Sequence, residues 1–396
     1  MKKIDYYKES LKLHRRLRGK IEIKAKIKIR SKTDLSLAYT PGVAAASKEI
    51  SLEKEKVFEY TNRGNTVAVV SDGTAVLGLG DIGPEAALPV MEGKCLLFKE
   101  FANIDAFPIV LDTKDPEKII QTVTHIAPSF AGINLEDISA PRCFDIEEKL
   151  QNIGIPVFHD DQHGTAIVVL AALINATKVV GKSIFSLKVV ISGAGAAGSA
   201  IAYLLSCLEA GGKVLPPSIC TGVKEIIMVD RAGTIYAGRE NLEPPKKKLA
   251  AFTNKNKLKG DLRDAIIGAD VFIGVSSGNL LEPQMIKMMA ARPIIFAMAN
   301  PVPEIMPETA LKAGAKVVAT GRSDFPNQVN NVLAFPGVFR GALDAKVTRI
   351  DTNMKLAAAY ALSDYVKKPN PKNIIPSALD KKVAAVVAEA TKKASF

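Results

Sequence analysis

Two stretches of the chain carry side chains able to do chemistry together. The first is Pro156-Val-Phe-His-Asp-Asp-Gln-His-Gly-Thr165, in which Asp160 and Asp161 close a short apolar strand. The second is Lys188-Val-Val-Ile-Ser-Gly-Ala-Gly-Ala-Ala-Gly198, which opens a helical run through Leu208. An apolar strand entering Gly193-x-Gly195-x-x-Gly198 and leaving into a helix is the setting of a dinucleotide fingerprint, because close backbone approach and a helix N-terminus favour a pyrophosphate. Gly193, Gly195, Ala196, Ala197 and Gly198 are therefore the expected cofactor contacts.

Glu136-Asp137 closes another apolar strand, and in a parallel α/β sheet the strand C-termini gather at one edge, where ligands bind. Three carboxylates with no cysteine among them suit a hard, oxygen-preferring cation, Mg²⁺ or Mn²⁺, with positions left open for substrate oxygens. Any one of these acids alone reads as a helix cap or a solvated turn; two such strand ends together read as a metal site. Asp230, at the end of the next strand, is placed to receive the adenosine ribose hydroxyls, although Gly211 to Gly222 lengthens the connection beyond the usual spacing. Its neighbour Arg231 could instead receive a 2′-phosphate. The cofactor is NAD or NADP, with the lean towards NAD because Asp230 repels a 2′-phosphate.

The elements that must position these residues are short buried strands at Thr66 to Val70, Ala106 to Leu111, Ser129 to Leu135 and Pro156 to Phe158, with helices such as Pro116 to His125 and Ile146 to Asn152 between them. From Gly164 a long apolar run to Val180 predicts a buried helix leading into a Rossmann-type domain. Its strands, Val189 to Ser192, Glu225 to Val229, Val271 to Gly274 and Ile294 to Ala297, read as parallel and buried on both faces. Met354 to Lys367 and Lys381 to Lys393 read as helices. The fold class is α/β: a substrate and metal domain over 1–163, a doubly wound NAD(P)-binding domain over 164–352 and a helical segment over 353–396.

The chain has 396 residues, 47% of them hydrophobic, enough for two or three domains with cores of their own. Its formal charge of +12 resembles a nucleic-acid signal until it is located. Residues 1–32 hold thirteen Lys/Arg against three acids, so the charge is a local arm. Within it Ile21 to Ile29 alternates apolar and charged residues as a half-buried strand does. No aromatic stacking platform accompanies the charge, so the arm is expected to serve as a solvated face or subunit contact rather than to bind nucleic acid. No apolar run reaches a membrane-spanning length, and Cys95, Cys143, Cys207 and Cys220 lack paired metal spacing. They read as reduced thiols in a cytoplasmic enzyme.

The chain resembles the malic enzymes of the short bacterial type over nearly its whole length. The resemblance is carried by Leu35-Ser-Leu-Ala-Tyr-Thr-Pro-Gly-Val-Ala44, Val70-Ser-Asp-Gly-Thr-Ala-Val-Leu-Gly-Leu-Gly-Asp-Ile-Gly83, Glu92-Gly-Lys94, Glu136-Asp137, Phe158 to Ala166, Ala299-Asn-Pro-Val-Pro303 and Asn330-Asn331. It implies Glu136, Asp137 and Asp161 as metal ligands, Asp160 as their support, Tyr39 and Lys94 as the acid/base pair, and Asn300 and Asn330 as substrate contacts, Asn300 also touching the cofactor. The implied reaction is oxidative decarboxylation of L-malate to pyruvate and CO₂. A base takes the C2 hydroxyl proton as hydride leaves, the β-carboxylate is lost, and an acid protonates C3. Lys94 serves as base only if metal charge and burial lower its pKa. Longer members of the family carry an arginine in the segment matching Gly73 to Leu77, which grips a substrate carboxylate. Here Thr74 and Ala75 stand there, leaving Asn300, Asn330 and backbone N–H groups near Gly73 as candidate anchors.

Two other enzyme classes share parts of this pattern. A non-redox oxaloacetate decarboxylase would use the same acids without the glycine loop, and a different two-domain NAD(P) dehydrogenase would not need Glu136-Asp137 with Asp161. The assembly expected is a homodimer whose basic arm crosses to its partner, Tyr39 and Lys94 acting in either their own or the neighbouring subunit.

Overall fold

The computed structural model describes residues 5–209, 214–216, 220 and 222–395. Its first sheet is all parallel, with β1 (Thr66–Ser71) flanked by β2 (Asp105–Val110) and β3 (Gly132–Leu135), and β4 (Val157–His159) outside β3. The second sheet contains β5 (Lys188–Ser192), β6 (Glu225–Asp230), β7 (Gly233–Thr234), β8 (Val271–Gly274), β9 (Ile294–Ala297) and β10 (Val317–Thr320). Its order is β10-β9-β8-β5-β6-β7, parallel except for the β6/β7 pair. This is the expected α/β, Rossmann-like architecture. The central strands carry continuous apolar runs because both faces are covered: Val189, Val190, Ile191, Ile294, Ile295 and Phe296 are all fully buried. Strands β7 and β10 were not expected from the sequence: β7 is only two residues long, and β10 is a four-residue strand at the sheet edge.

One helix, Asp160–Val180, joins the sheets. It packs against Ala196–Leu205 and Thr352–Tyr365. By length and composition it could cross a membrane, which corrects the expectation that no segment reaches that limit, but most of it is buried in the core. The acids in its first turn, together with His163, Asn175 and Lys178, break up the apolar run in the sequence. Asn175 is satisfied internally, its amide donating to the carbonyls of Ser363 and Ile374.

Two further expectations are corrected. Residues Ile21 to Ile29 form no strand. Alternation supplies two faces but no partner, and among the described residues no strand lies alongside to complete a ladder. The helix before it, Tyr6–Leu17, has no buried residue; residues 1–4 of the arm lie outside the described residues. Cys207 and Cys220 are joined in a disulfide with Cα atoms 5.6 Å apart, whereas Cys95 and Cys143 are free and buried. A bridge between Leu208 and Val214 turns the chain back, which brings two cysteines distant in sequence together. Residues 210–213, 217–219 and 221 of the long connection lie outside the described residues.

Candidate active site

Strands β3 and β4 are neighbours in register, Leu135 opposite His159, so the residues that follow them emerge side by side. One acceptor atom each from Glu136, Asp137 and Asp161 lies within 4.8 Å of the others. Asp137 takes a left-handed backbone, φ 53°, and its N–H donates to Asp161 Oδ2 at 2.9 Å, which turns its carboxylate back towards the group. Asp160 and Asp161 open the Asp160–Val180 helix, where the positive end of the helix dipole favours anions. Gly164 is required one turn later, because a Cβ there would sit 1.8 Å from Asp160 Oδ1.

The donor set fits a hard divalent cation. Asp137 Oδ2 and Asp160 Oδ1 are buried and accept no hydrogen bond from the protein. Burial and then the neighbouring acids, Asp161 foremost, push the Asp137 carboxyl up to about 9. Burial is also the first cause raising Glu136 and Asp161. Clustered carboxylates that resist ionisation in this way are stabilised by a cation among them.

Lys94, on the helix Pro84–Ala102, reaches this cluster from the other side of the sheet edge. Its Nζ lies 2.6 Å from Asp160 Oδ2, 2.8 Å from Glu136 Oε1 and 4.2 Å from the centre of the Phe335 ring. Burial works to lower its pKa, but Asp160 and Glu136 outweigh burial and the net shift is upward. The lowering expected from the sequence is therefore not a property of the protein chain alone. The expectation that Lys94 could complete a neighbouring subunit's site is corrected too, since it pairs with acids of its own chain.

Sequence reasoning missed the acid behind this edge. Buried Glu147 accepts from the His159 N–H (3.2 Å) and the Gln162 side chain (2.8 Å), and lies 2.8 Å from His163 Nε2. Burial opposes its ionisation, but the His163 contact first, with Lys355 and His159, draws it down to about 2. It pins the first turn of the helix that carries Asp160 and Asp161. His163 is accounted for by this contact, while buried His159 has no hydrogen bond at either ring nitrogen. A glutamate on an amphipathic helix gives no local signal for such a task.

The segment that replaces the long-form arginine is latched by a different arginine. Arg142 pairs with Asp72 at 2.7 Å and donates to the Thr74 and Ser139 hydroxyls and the Lys114 carbonyl. With those donors engaged it holds the Gly73–Gly83 loop. Gly78 of that loop faces Pro301 across the cleft. Asn300 precedes Pro301, its amide 3.4 Å from the Met298 carbonyl. Asn330 caps the turn Asn331–Leu333, and Asn331 lies against Gly164. Tyr39 stands apart. It ends the helix Lys32–Ala38 with 67% of its surface exposed, and its hydroxyl makes no hydrogen bond to Lys94 or the acids of its own chain.

At the second sheet, a Cβ on Gly193 would meet the Val275 carbonyl at 2.8 Å and one on Gly198 the Gly193 carbonyl at 1.9 Å, while Gly195 faces open space. Ala196 and Ala197 begin the helix Ala196–Leu205. Asp230 is more occupied than its position suggested. Oδ1 accepts from Arg239 (2.8 Å) and the Ala232 N–H (3.0 Å), and Oδ2 from Arg239 (3.0 Å) and Lys246 (3.0 Å). Arg231 beside it is exposed.

The family profile "Malic enzyme, N-terminal domain" matches residues 18–151, and "Malic enzyme, NAD binding domain" matches residues 162–395. The chain belongs to the malic enzyme family. It is 56% identical over 98% of its length, and 92% of the relative's, to a protein of Bacillus subtilis named bifunctional malic/malolactic enzyme. To the NAD-dependent malic enzyme of Geobacillus stearothermophilus it is 54% identical over 96% of its length and 77% of the relative's. The crystal structure of the Thermotoga maritima NAD-dependent malic enzyme superposes with a TM-score of 0.90 at 51% identity, covering 97% of this chain and 98% of that one. As a malic enzyme it is an NAD(P)-dependent oxidoreductase, and the family reaction is oxidative decarboxylation of malate.

Proposed function

We propose that Glu136, Asp137 and Asp161 hold Mg²⁺ or Mn²⁺, that Lys94 is the base for malate oxidation, and that Tyr39 of a second subunit is the acid that protonates C3. When bound, the metal polarises the C2 oxygen while the nicotinamide accepts the hydride. Lys94 receives the C2 hydroxyl proton, and Asp160, 2.6 Å away, fixes its Nζ and offers a route for the proton onward. Asn300 and Asn330 orient malate, the glycine turn receives the pyrophosphate, and the latched Gly73–Gly83 loop offers backbone N–H groups to a carboxylate. The observation that carries this reading is the convergence of buried Glu136 and Asp137, half-buried Asp161 and one buried lysine at the edge of one sheet.

For the nucleotide we infer that NAD is preferred but NADP is used. Asp230 remains a negative group at the ribose end, but Arg239 and Lys246 neutralise much of the repulsion it would exert on a 2′-phosphate. Malate incubated with each nucleotide should yield NADH or NADPH, pyruvate and CO₂ only with a divalent metal, and chelator should stop it. Turnover that survives chelator would overturn the metal reading, and kcat/KM for NADP about tenfold above that for NAD would overturn the preference. Product analysis should separate pyruvate from lactate, because the Bacillus subtilis relative is named as bifunctional.

The homodimer follows from Tyr39 and the arm. The helix Tyr6–Leu17 and the segment after it leave Tyr7 82% and Ile23 88% exposed, apolar surface that a second copy would cover. Co-expressed Tyr39→Phe and Asp161→Ala chains, each inactive alone, should regain about a quarter of wild-type activity, because half the dimers are mixed and each mixed dimer has one intact site. If every pairing stays inactive, Tyr39 serves its own subunit.

A further inference from the structure

The loops that follow β8 and β9 meet over an acid with no role in the scheme above. Glu304 has no exposed surface. Its Oε1 accepts the Ser276 N–H at 3.2 Å and its Oε2 accepts the Ala299 N–H at 3.1 Å. The favourable interactions at its carboxylate come from backbone N–H groups, without a cation, and burial raises its pKa. The seat exists because β8 ends in Gly274: a Cβ there would lie 2.2 Å from the Glu304 carboxyl carbon.

The two clamped loops lead to different parts of the site. Val275 and Ser276 abut Gly193 of the glycine turn, and the Ser276 and Ser192 hydroxyls are 3.1 Å apart. Ala299, the other clamp, is followed by Asn300 and then by Pro301, which faces Gly78 across the cleft. The main chain repeats the tie, the Asn279 and Leu281 N–H groups donating to the carbonyls of Pro303 and Glu304. A buried carboxylate with no counter-cation is an expensive way to join two loops. An apolar side chain could fill the volume, but the two carboxylate oxygens hold the two separate N–H groups, one each.

We infer that Glu304 is a positioning residue that fixes Asn300 relative to the dinucleotide crevice through its two backbone clamps. The inference rests on the proposed substrate role of Asn300. Glu304→Ala should lower kcat/KM for malate about tenfold or more, mostly through a higher KM, because a misplaced substrate contact weakens the productive geometry. The Kd for NADH, read by fluorescence, should stay within about threefold, while Tm should fall modestly because the Ser276 and Ala299 N–H groups lose their acceptor. Glu304→Gln keeps one acceptor and should fall between. Gly274→Ala, which expels the same carboxylate, should reproduce the loss in the wild-type background and add nothing to Glu304→Ala.

The inference is overturned if Glu304→Ala keeps kcat/KM within about threefold of wild type, if the loss comes with an equal weakening of NADH binding, or if Gly274→Ala costs as much in both backgrounds. Asn300→Ala separates the two readings. An unchanged malate KM there refutes the role of Asn300, whereas a raised KM there with none in Glu304→Ala refutes the clamp.

Discussion

Asp161→Ala is expected to lower kcat/KM for malate about a thousandfold or more at saturating metal, while NADH still binds within about threefold of wild type. A thousandfold is about 4 kcal/mol of transition-state stabilisation, the scale of losing an electrophilic cation beside the reacting oxygen. Asp161 does two jobs, since it belongs to the three-acid group and its Oδ2 also receives the Asp137 N–H. Asp161→Asn separates them. It keeps an acceptor for Asp137 but removes a charge, so it should remain nearly as inactive as the alanine variant. The glycine turn belongs to the other sheet, which is why nucleotide binding should survive.

Stability should move in the opposite direction. In the metal-free protein, clustered burial raises the Asp137 carboxyl to about 9. Raised this way, the group contributes most to stability below its unfolded pKa, near 4, and loses that contribution as pH rises towards 9. Without metal, Asp161→Asn should therefore melt higher than wild type at pH 8, because one repulsive neighbour is gone. Added Mn²⁺ should raise the wild-type Tm, by about 2.7 kcal/mol of stability at a hundredfold excess over Kd, and should leave the variant nearly unmoved. A variant that gains as much from metal as wild type does would remove Asp161 from the ligand set.

The parts of this site legible in the sequence are those whose function is local. Gly193, Gly195 and Gly198 lie on one turn: Gly198 answers a contact within it and Gly195 leaves a face open, although Gly193 also makes room for the Val275 carbonyl of a neighbouring loop. Glu136-Asp137 and Asp160-Asp161 could be paired because both follow apolar strands, and parallel strands deliver their ends to one edge. Residues that act across the fold left no comparable trace. Glu147 is tied to His163, Arg142 to Asp72, and Glu304 to Ser276, with a helix or a whole strand between each pair. The arm differs for a related reason: its alternation suits a strand, but strands need neighbours, and the described residues supply none there. Asp230 ends β6 but is not free, because Arg239 and Lys246 reach it from beyond the following turn, a feature no local pattern signals.

Lys94→Ala is expected to reduce malate oxidation about a thousandfold across pH 6 to 9, within the range for general base catalysis, and the residue also holds two acids in place. Removing one partner of a buried ionic cluster leaves the others uncompensated, at a cost of about 3–5 kcal/mol, and Asp160 and Glu136 have no second cation near them. Loss of activity alone would thus not separate chemistry from folding. Metal does separate them. The Lys94 ammonium and a divalent cation are counter-charges to the same acids, so the variant should depend more on metal for its stability than wild type does, gaining the larger rise in Tm when Mn²⁺ is added. Under metal-saturated, folded conditions the variant should still decarboxylate oxaloacetate, which has no C2 hydroxyl proton to give up, far better than it oxidises malate. If oxidation and decarboxylation fall together by the same factor, Lys94 holds the acids and is not the base. If oxidation stays at the wild-type level from pH 6 to 9, it is neither.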